Sequence, residues 1–200
     1  MTMVGLDYQS SRGINGKSVK VFGVGLPHTN MATVVSELKG LSMSIIDSDL
    51  SFVTQSHGIT RGLYDQVDAV FNLPSSSCYK DLLARYPNAM FVSTYRNPNR
   101  WYRDIESEYK QACSNKALLN SWSLKYEWLF GNSNPTKVNW IEKYNEHYRQ
   151  LHLAIPPQQI LHLDGDIFMI RSPLTPICKF LHLSENECLT ERRSTQVFSI

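Results

Sequence analysis

The chain has 200 residues, of which 42% are hydrophobic and 11% aromatic, which is enough apolar material for one domain with a substantial core. Its formal net charge is +2, from 20 basic and 18 acidic residues, so it lacks the concentrated basic face of a nucleic-acid or membrane-surface binder. No run approaches the ~18 apolar residues of a membrane span, and no signal pattern stands at the start. We therefore expect a cytoplasmic globular protein with no nucleic-acid partner and no membrane span.

The four cysteines form no Cys-x-x-Cys pair and show no Cys/His spacing of the kind that binds metals. Scattered cysteines in a chain of this size are typically reduced and partly buried. We expect free thiols and no metal site at Cys78, Cys113, Cys178 and Cys188.

The first predicted elements follow a loose N-terminal arm, residues 1–17, that is rich in Ser, Gly and Asn. Residues 18–24 form a β-branched run typical of a buried strand. Apolar residues then recur with helical spacing, and Gly40 stands where a helix often ends. The residues of this apolar stripe are Met31, Val34, Val35 and Leu38.

Strands and helices then alternate along the rest of the chain. Further strands are predicted at residues 43–46, 67–73, 89–95 and 160–163. Helices are predicted after Pro74, after Asn97, over 138–151 and over 173–181, whereas 114–137 is ambiguous and the tail, 184–200, has no firm pattern. This alternation predicts a single three-layer α/β domain over residues 18–183, with a P-loop-type parallel sheet flanked by helices.

The turn between the first strand and the first helix is the first candidate site. Such a turn directs unpaired backbone N–H groups and the positive end of the helix at one point, which suits a phosphate. It lacks the Gly-Lys-Ser/Thr ending of a nucleoside-triphosphate loop, so kinase or NTPase chemistry is not expected. An ordinary strand–helix turn is the alternative interpretation. The candidate binding residues are Pro27, His28, Thr29, Asn30, Met31, Ala32 and Thr33.

The second candidate site follows the strand predicted at residues 89–95. Arg96 comes directly after this strand, and Asn97-Pro98 begins a helix, so the arginine is placed to bind an anion beside the first loop. The alternative is a surface arginine cluster, although cations at a helix N-terminus oppose its dipole.

The order of these segments resembles the sulfotransferase fold, and most closely the P-loop, sulfotransferase-like branch of bacteria and fungi. Members carry a segment like residues 23–27, Gly-Val-Gly-Leu-Pro, followed by Arg-Thr-Gly-Thr-Thr-Ser. Segments like residues 68–74 and 79–87 follow, then a Tyr/Val-Arg-Asn/Asp-Pro-x-x-Trp-Tyr segment like residues 95–102. Residues 144–147, 156–161 and 178–181 also fit, so the resemblance covers about residues 19–182.

The resemblance implies a transferase that uses 3′-phosphoadenosine 5′-phosphosulfate (PAPS) and moves its sulfuryl group to a hydroxyl or amine of a small-molecule acceptor. In the family the first loop holds the 5′-phosphosulfate. The arginine that matches Arg96 and a serine eight residues later hold the 3′-phosphate. A side-chain base deprotonates the acceptor, which attacks sulfur in line. A homo-oligomer is left open.

Several positions depart from the family pattern. The loop cation falls on His28, which would partly neutralise the transferred group when protonated, and the loop glycine falls on Asn30. The two hydroxyl residues fall on Met31 and Ala32. The 3′-phosphate serine falls on Asp104, whose carboxylate would repel a phosphate by about a few kcal/mol at ~4 Å.

Two interpretations reconcile Asp104 with phosphate binding. Asp104 pairs with Arg100 or Arg103, or Ser107, three residues on, takes the role of the missing serine.

The catalytic base is the least defined part of the expected site. His28 and His57 are the catalytic candidates, with Asp47 as a further option, because Asn72 occupies the position of the family's acidic residue. A second hypothesis follows from these departures: a catalytically inactive protein of the same fold that binds a ligand or protein. Its partner would contact an aromatic surface formed by Trp101, Trp122, Trp128 and Trp140.

Overall fold

The structure, a computed structural model, describes residues 19–47, 64–169 and 171–190. Within these ranges the chain forms five strands and seven α-helices. They are β1 Val21–Gly23, α1 Met31–Gly40, β2 Ile45–Asp47, β3 Ala69–Phe71, α2 Ser75–Arg85, β4 Met90–Tyr95, α3 Pro98–Ala112, α4 Lys116–Phe130, α5 Lys137–Ala154, β5 Ile160–Asp164, α6 Leu174–Phe180 and α7 Glu185–Thr190.

The five strands form one parallel sheet in the order β2-β3-β1-β4-β5. The register pairs Gly23 of β1 with Val92 of β4. The chain therefore leaves β1 and β4 side by side at the same edge, which is where ligands bind in open parallel sheets.

Two helical layers cover the sheet because successive strand residues point to opposite faces. In β1, Val21 packs in the cluster of α1 and α6, whereas Phe22 packs in the cluster of α2 and the end of α5. The predicted three-layer α/β fold with a parallel sheet is confirmed.

A third hydrophobic cluster joins α3, α4 and α5 beside the sheet. Trp101, Trp122 and Trp140 lie inside it with no more than 3% of each side chain exposed. The expected aromatic surface is therefore wrong for these three residues, because the aromatic positions of the three helices face one another. The planes of Trp122 and Trp140 are nearly parallel at 11°, with ring centroids 5.5 Å apart.

The segment left ambiguous by the sequence is helix α4. Its ends are locally encoded: the Asn115 side chain accepts hydrogen bonds from the N–H groups of Ala117 and Leu118, and Gly131 ends the helix in the left-handed region. The expected patternless tail contains α7 in its described part.

A disulfide joins Cys178 of α6 to Cys188 of α7, whereas Cys78 and Cys113 are free. The expectation of free thiols is therefore wrong for Cys178 and Cys188. Their pairing depends on the turn between the two helices, which brings their Cα atoms to 6.4 Å.

Within the described ranges, no helix is long and apolar enough to cross a bilayer. Likewise, that part of the chain contains no group of three His, Cys, Asp or Glu side chains placed to hold a metal ion.

Candidate functional site at the carboxyl edge of β1 and β4

The first loop is set by two residues in the left-handed region, His28 with φ 62° and Asn30 with φ 66°. Asn30 precedes α1 but its side chain does not cap the helix; its Nδ2 donates instead to the carbonyl of Gly165, 2.6 Å away. The N–H groups at the start of α1 therefore receive no side-chain cap from Asn30. The Thr33 N–H binds the Asn30 carbonyl at 3.2 Å, and the other N–H groups of this turn are left for an anion.

The other loop residues divide between the core and the surface. Thr29 is buried, and its Oγ1 donates to the carbonyl of Leu26, 2.6 Å away, and contacts the Thr94 Oγ1, also 2.6 Å away. Its hydroxyl is therefore turned into the protein. Met31 is buried, Ala32 is exposed and Thr33 is half-buried on the first turn of α1.

The loop is anchored from behind by the aromatic cluster. Trp101 Nε1 donates to the carbonyl of Pro27 at 2.8 Å. The position of Pro27, and of His28 after it, therefore depends on the packing of α3.

Arg96 lies where the sequence placed it, directly after β4 and beside the first loop. Its Nη1 donates to the carbonyl of His28 at 3.1 Å and to Asp104 Oδ2 at 2.6 Å, and its Nε donates to Asp166 Oδ1 at 2.8 Å. Burial alone would lower the pKa of Arg96, but the two carboxylates outweigh it and raise that pKa. The guanidinium is thus fully ionised and held by two negative charges.

Asp104 pairs with Arg96 itself rather than with Arg100 or Arg103. Arg100 instead lies 3.7 Å from Asp166. Ser107, the proposed substitute for the missing serine, is exposed on α3. The carboxylate of Asp104 therefore occupies the place at Arg96 that the resemblance assigns to a phosphate.

His28 is held by a carboxylate as well. Its Nε2 lies 2.9 Å from Glu108 Oε2, and Glu108 also accepts from Lys125 Nζ at 2.8 Å and from Tyr126 Oη at 2.6 Å. Burial raises the pKa of Glu108, but these hydrogen bonds outweigh it and lower the pKa to about 2. Glu108 is therefore an ionised acceptor at neutral pH.

The other candidate bases are separated from this cluster. Asp47 Oδ1 accepts from Asn72 Nδ2 at 2.5 Å, at the exit of β2 and β3. In the sheet order β3 lies between β2 and β1, so Asp47 is two strands, about 10 Å, from the exit of β1. His57 lies outside the described residues.

Helix α5 binds the strand exits through three side chains on one face. Tyr144 Oη donates to the Arg96 carbonyl at 2.7 Å and accepts from the Arg96 N–H at 2.8 Å. Tyr148 Oη donates to the Thr94 carbonyl at 2.6 Å, and His147 Nε2 donates to the Val24 carbonyl at 2.8 Å. Burial lowers the pKa of His147 to about 4, so this histidine is neutral at pH 7.

Sequence reasoning missed Asp166 and Glu108. Asp166 had a usable signal, because the Asp-Gly-Asp run over residues 164–166 follows a predicted strand, and strand exits share one edge. Glu108 had none, because its contact with His28 crosses 80 residues of sequence.

Comparison with known protein families identifies the family of the chain. The family model of the sulfotransferase domain matches residues 20–188. The chain belongs to the sulfotransferase family. Comparison of this family member with curated protein sequences found no significant match.

Among solved structures, a sulfotransferase from Alicyclobacillus acidocaldarius is 14% identical, with a TM-score of 0.52 over 83% of this chain and 81% of that one. This likeness supports the fold. The sulfotransferase domain of the Synechococcus PCC 7002 olefin synthase is 14% identical, with a TM-score of 0.48 over 92% and 80% of the two chains. A mouse sulfotransferase complexed with PAP is 13% identical, with a TM-score of 0.45 over 90% and 64%.

The contact between Gly165 and Thr29 predicts a strong effect of a single methyl group. A Cβ on Gly165 would lie 2.2 Å from the Thr29 carbonyl oxygen, whereas a Cβ on Gly40 meets nothing within 4 Å. Gly165→Ala should lower the free energy of unfolding by about 1–3 kcal/mol, because backbone must shift, and Gly40→Ala should not destabilise. Urea unfolding of both variants measures this. Equal stabilities would contradict the close approach.

The lowered pKa of the half-buried His147 predicts a pH-dependent stability. Its folded pKa, about 4, lies below the ordinary value of 6.5, so the unfolded chain binds the proton more readily and stability falls as pH falls from 6.5 towards 4. The contribution is about 1.4 kcal/mol per pH unit. His147→Gln, which retains a donor, should show a shallower loss of unfolding free energy between pH 7 and pH 5. Parallel curves for wild type and variant would contradict the assignment.

Proposed function

We propose that this chain binds PAPS at the carboxyl edge of β1 and β4 and transfers its sulfuryl group to a hydroxyl or amine of a small-molecule acceptor. The observation that carries the proposal is the position of Arg96. Its guanidinium contacts the first loop at His28, α3 at Asp104 and the β5 exit at Asp166. A cation shared by these three segments supports an anion site next to the start of α1.

The surrounding surface is consistent with a nucleotide of this kind. The start of α1 offers N–H groups to a 5′-phosphate, and Arg96 offers its guanidinium to a 3′-phosphate. A cavity of about 560 Å³ lies on the α5 side of Arg96 and within the size range of small-molecule pockets, and its lining contains no residue of the first loop. Its wall includes Asp166, Tyr144 and His162.

The proposal requires Asp104 to leave Arg96 when the nucleotide binds. Asp104 is the better candidate to move because its side chain is 45% exposed, against 19% for Asp166. Asp166 also accepts from the Asn97 N–H, which ties it to the start of α3. We therefore expect weak binding by the free protein, since a salt bridge must break first.

The chemistry expected of the site is positioning and charge stabilisation rather than covalent catalysis. PAPS supplies the activated sulfuryl group when bound. The N–H groups of α1 would hold the phosphate that departs, and Arg96 would fix the nucleotide at its other end.

A second function is favoured by the carboxylates themselves. The side chains of His28 and Arg96, at the same edge, are both already bound to carboxylates. Cations already neutralised by carboxylates would be expected in a protein that has lost sulfuryl transfer and uses the carboxyl edge of the sheet to bind another ligand or a protein.

The compartment remains a prediction from the sequence. The Cys178–Cys188 disulfide argues against the cytoplasm, because disulfides are rare in reducing compartments.

Calorimetry with adenosine 3′,5′-bisphosphate (PAP) tests the proposed function. Asp104→Ser removes the competing carboxylate and should tighten PAP binding by on the order of tenfold, given a screened like-charge repulsion. Arg96→Ala should abolish binding at millimolar PAP, because the 3′-phosphate loses its cation.

Arg103→Ala is the matched control, since Arg103 is an exposed arginine on the same helix, and it should leave the PAP affinity within about twofold of wild type. Absence of PAP binding in both wild type and Asp104→Ser would overturn PAPS binding. Binding restored only by Asp104→Ser would favour the second function.

A further inference from the structure

We infer that His28 and Glu108 form a general-base dyad, in which Glu108 orients the imidazole and His28 Nδ1 accepts the proton of the attacking hydroxyl or amine. The inference rests on the proposed sulfuryl transfer and deepens it. It gives His28 a proton-transfer role in place of the charge neutralisation expected from the family's loop cation.

The hydrogen bond between the two side chains determines where the proton sits on His28. Glu108 is ionised, and an ionised carboxylate accepts hydrogen bonds but cannot donate them. The 2.9 Å contact to Glu108 Oε2 therefore requires a proton on His28 Nε2. In the neutral imidazole the lone pair is then on Nδ1, for which the described residues provide no hydrogen-bond partner.

Glu108 is itself fixed by two donors from α4. Lys125 Nζ binds Oε1 and Tyr126 Oη binds Oε2, so both carboxylate oxygens have partners on a second helix. Such an arrangement, a base oriented by an immobilised carboxylate, is the usual support of a catalytic histidine. Glu108, Lys125 and Tyr126 are positioning residues, since only His28 would touch the reacting atoms.

The backbone of His28 is held while its ring remains accessible. Arg96 Nη1 binds the His28 carbonyl, and the left-handed φ of 62° sets the direction of the side chain. The His28 side chain is 32% exposed, so its ring is open to solvent.

Two other bases, Asp47 and His147, fit this role less well. Asp47 lies at the exit of β2, with β3 between it and β1. His147 Nε2 donates to the Val24 carbonyl, and burial lowers the pKa of His147 to about 4, which makes it a weak base.

The proposed step balances in atoms and electrons. As the acceptor oxygen or nitrogen forms its bond to sulfur, its proton moves to His28 Nδ1. The bond between sulfur and the bridging oxygen of the 5′-phosphate breaks, and its electron pair leaves with PAP. The imidazolium then returns the proton to water.

The competing explanation is that the contact between His28 and Glu108 only holds the first loop against α3. The groups that face His28 are Glu108 from α3, Lys125 and Tyr126 from α4, and Arg96 with its partner Asp104. If the contact is only structural, its loss should lower stability and nucleotide affinity. If the two residues form a general-base dyad, its loss should lower turnover while the nucleotide affinity stays constant.

The test uses the full chain with PAPS as donor and water as acceptor, and follows sulfate release at saturating PAPS. His28→Gln and Glu108→Gln should each lower kcat by about 100-fold or more, the usual range for general-base catalysis. The PAP dissociation constant should stay within about threefold of wild type in both. Glu106→Gln, an exposed glutamate of α3 that pairs with Lys110, is the matched control and should leave kcat unchanged.

A second readout does not depend on turnover. ¹⁵N NMR of histidine-labelled protein, with His28 assigned from His28→Gln, should show neutral His28 protonated on Nε2. Protonation on Nδ1 would overturn the dyad, as would an unchanged kcat in His28→Gln or a loss of PAP affinity equal to the loss of kcat. PAP binding without sulfate release by wild type would overturn the base role and leave nucleotide binding intact. No PAP binding at all would overturn the proposed function itself.

Discussion

The rest of the site depends on the two salt bridges that Arg96 forms with Asp104 and Asp166. It joins the exits of β4 and β5 to α3, and through the His28 carbonyl it reaches the first loop. The Arg96 side chain is only 18% exposed, and the two carboxylates balance a positive charge that would otherwise be costly to remove from water. The same contact places a negative group where we propose that the 3′-phosphate binds. The salt bridge between Asp104 and Arg96 therefore competes with a ligand for the same guanidinium.

The rigidity of the edge comes from α5 and from the aromatic cluster. Tyr144 and Tyr148 bind backbone groups at the exits of β1 and β4, so α5 fixes the distance between the two loops. Trp101 links the cluster to the Pro27 carbonyl. The three tryptophans that the sequence suggested as a contact surface thus serve as the scaffold behind the loop. A protein of this fold that had lost sulfuryl transfer but kept α5 and the aromatic cluster would still present the carboxyl edge of β1 and β4 to a ligand.

The parts of the fold that were predicted correctly are those encoded locally. The strand over residues 89–95 and the apolar stripe of α1 follow from periodicity, and proline and glycine mark where elements end. Arg96 was found because its position after a strand implies a place at the edge. The resemblance already implied that Asp104 lies near Arg96, because it places both positions at one phosphate. The contact of Glu108 with His28 was not predictable, because only the packing of α3 against the sheet brings the two side chains together. The Cys178–Cys188 pairing likewise depends on how α7 folds back on α6.

A crystal structure of the chain with saturating PAP would show whether the nucleotide displaces Asp104 from Arg96. Such displacement places the 3′-phosphate within hydrogen-bond distance of the Arg96 guanidinium, about 3 Å, with Asp104 turned away from its 2.6 Å contact and Asp166 still bound. An Arg96–Asp104 salt bridge that persists beside a nucleotide bound elsewhere, or an edge that stays without nucleotide, would contradict it.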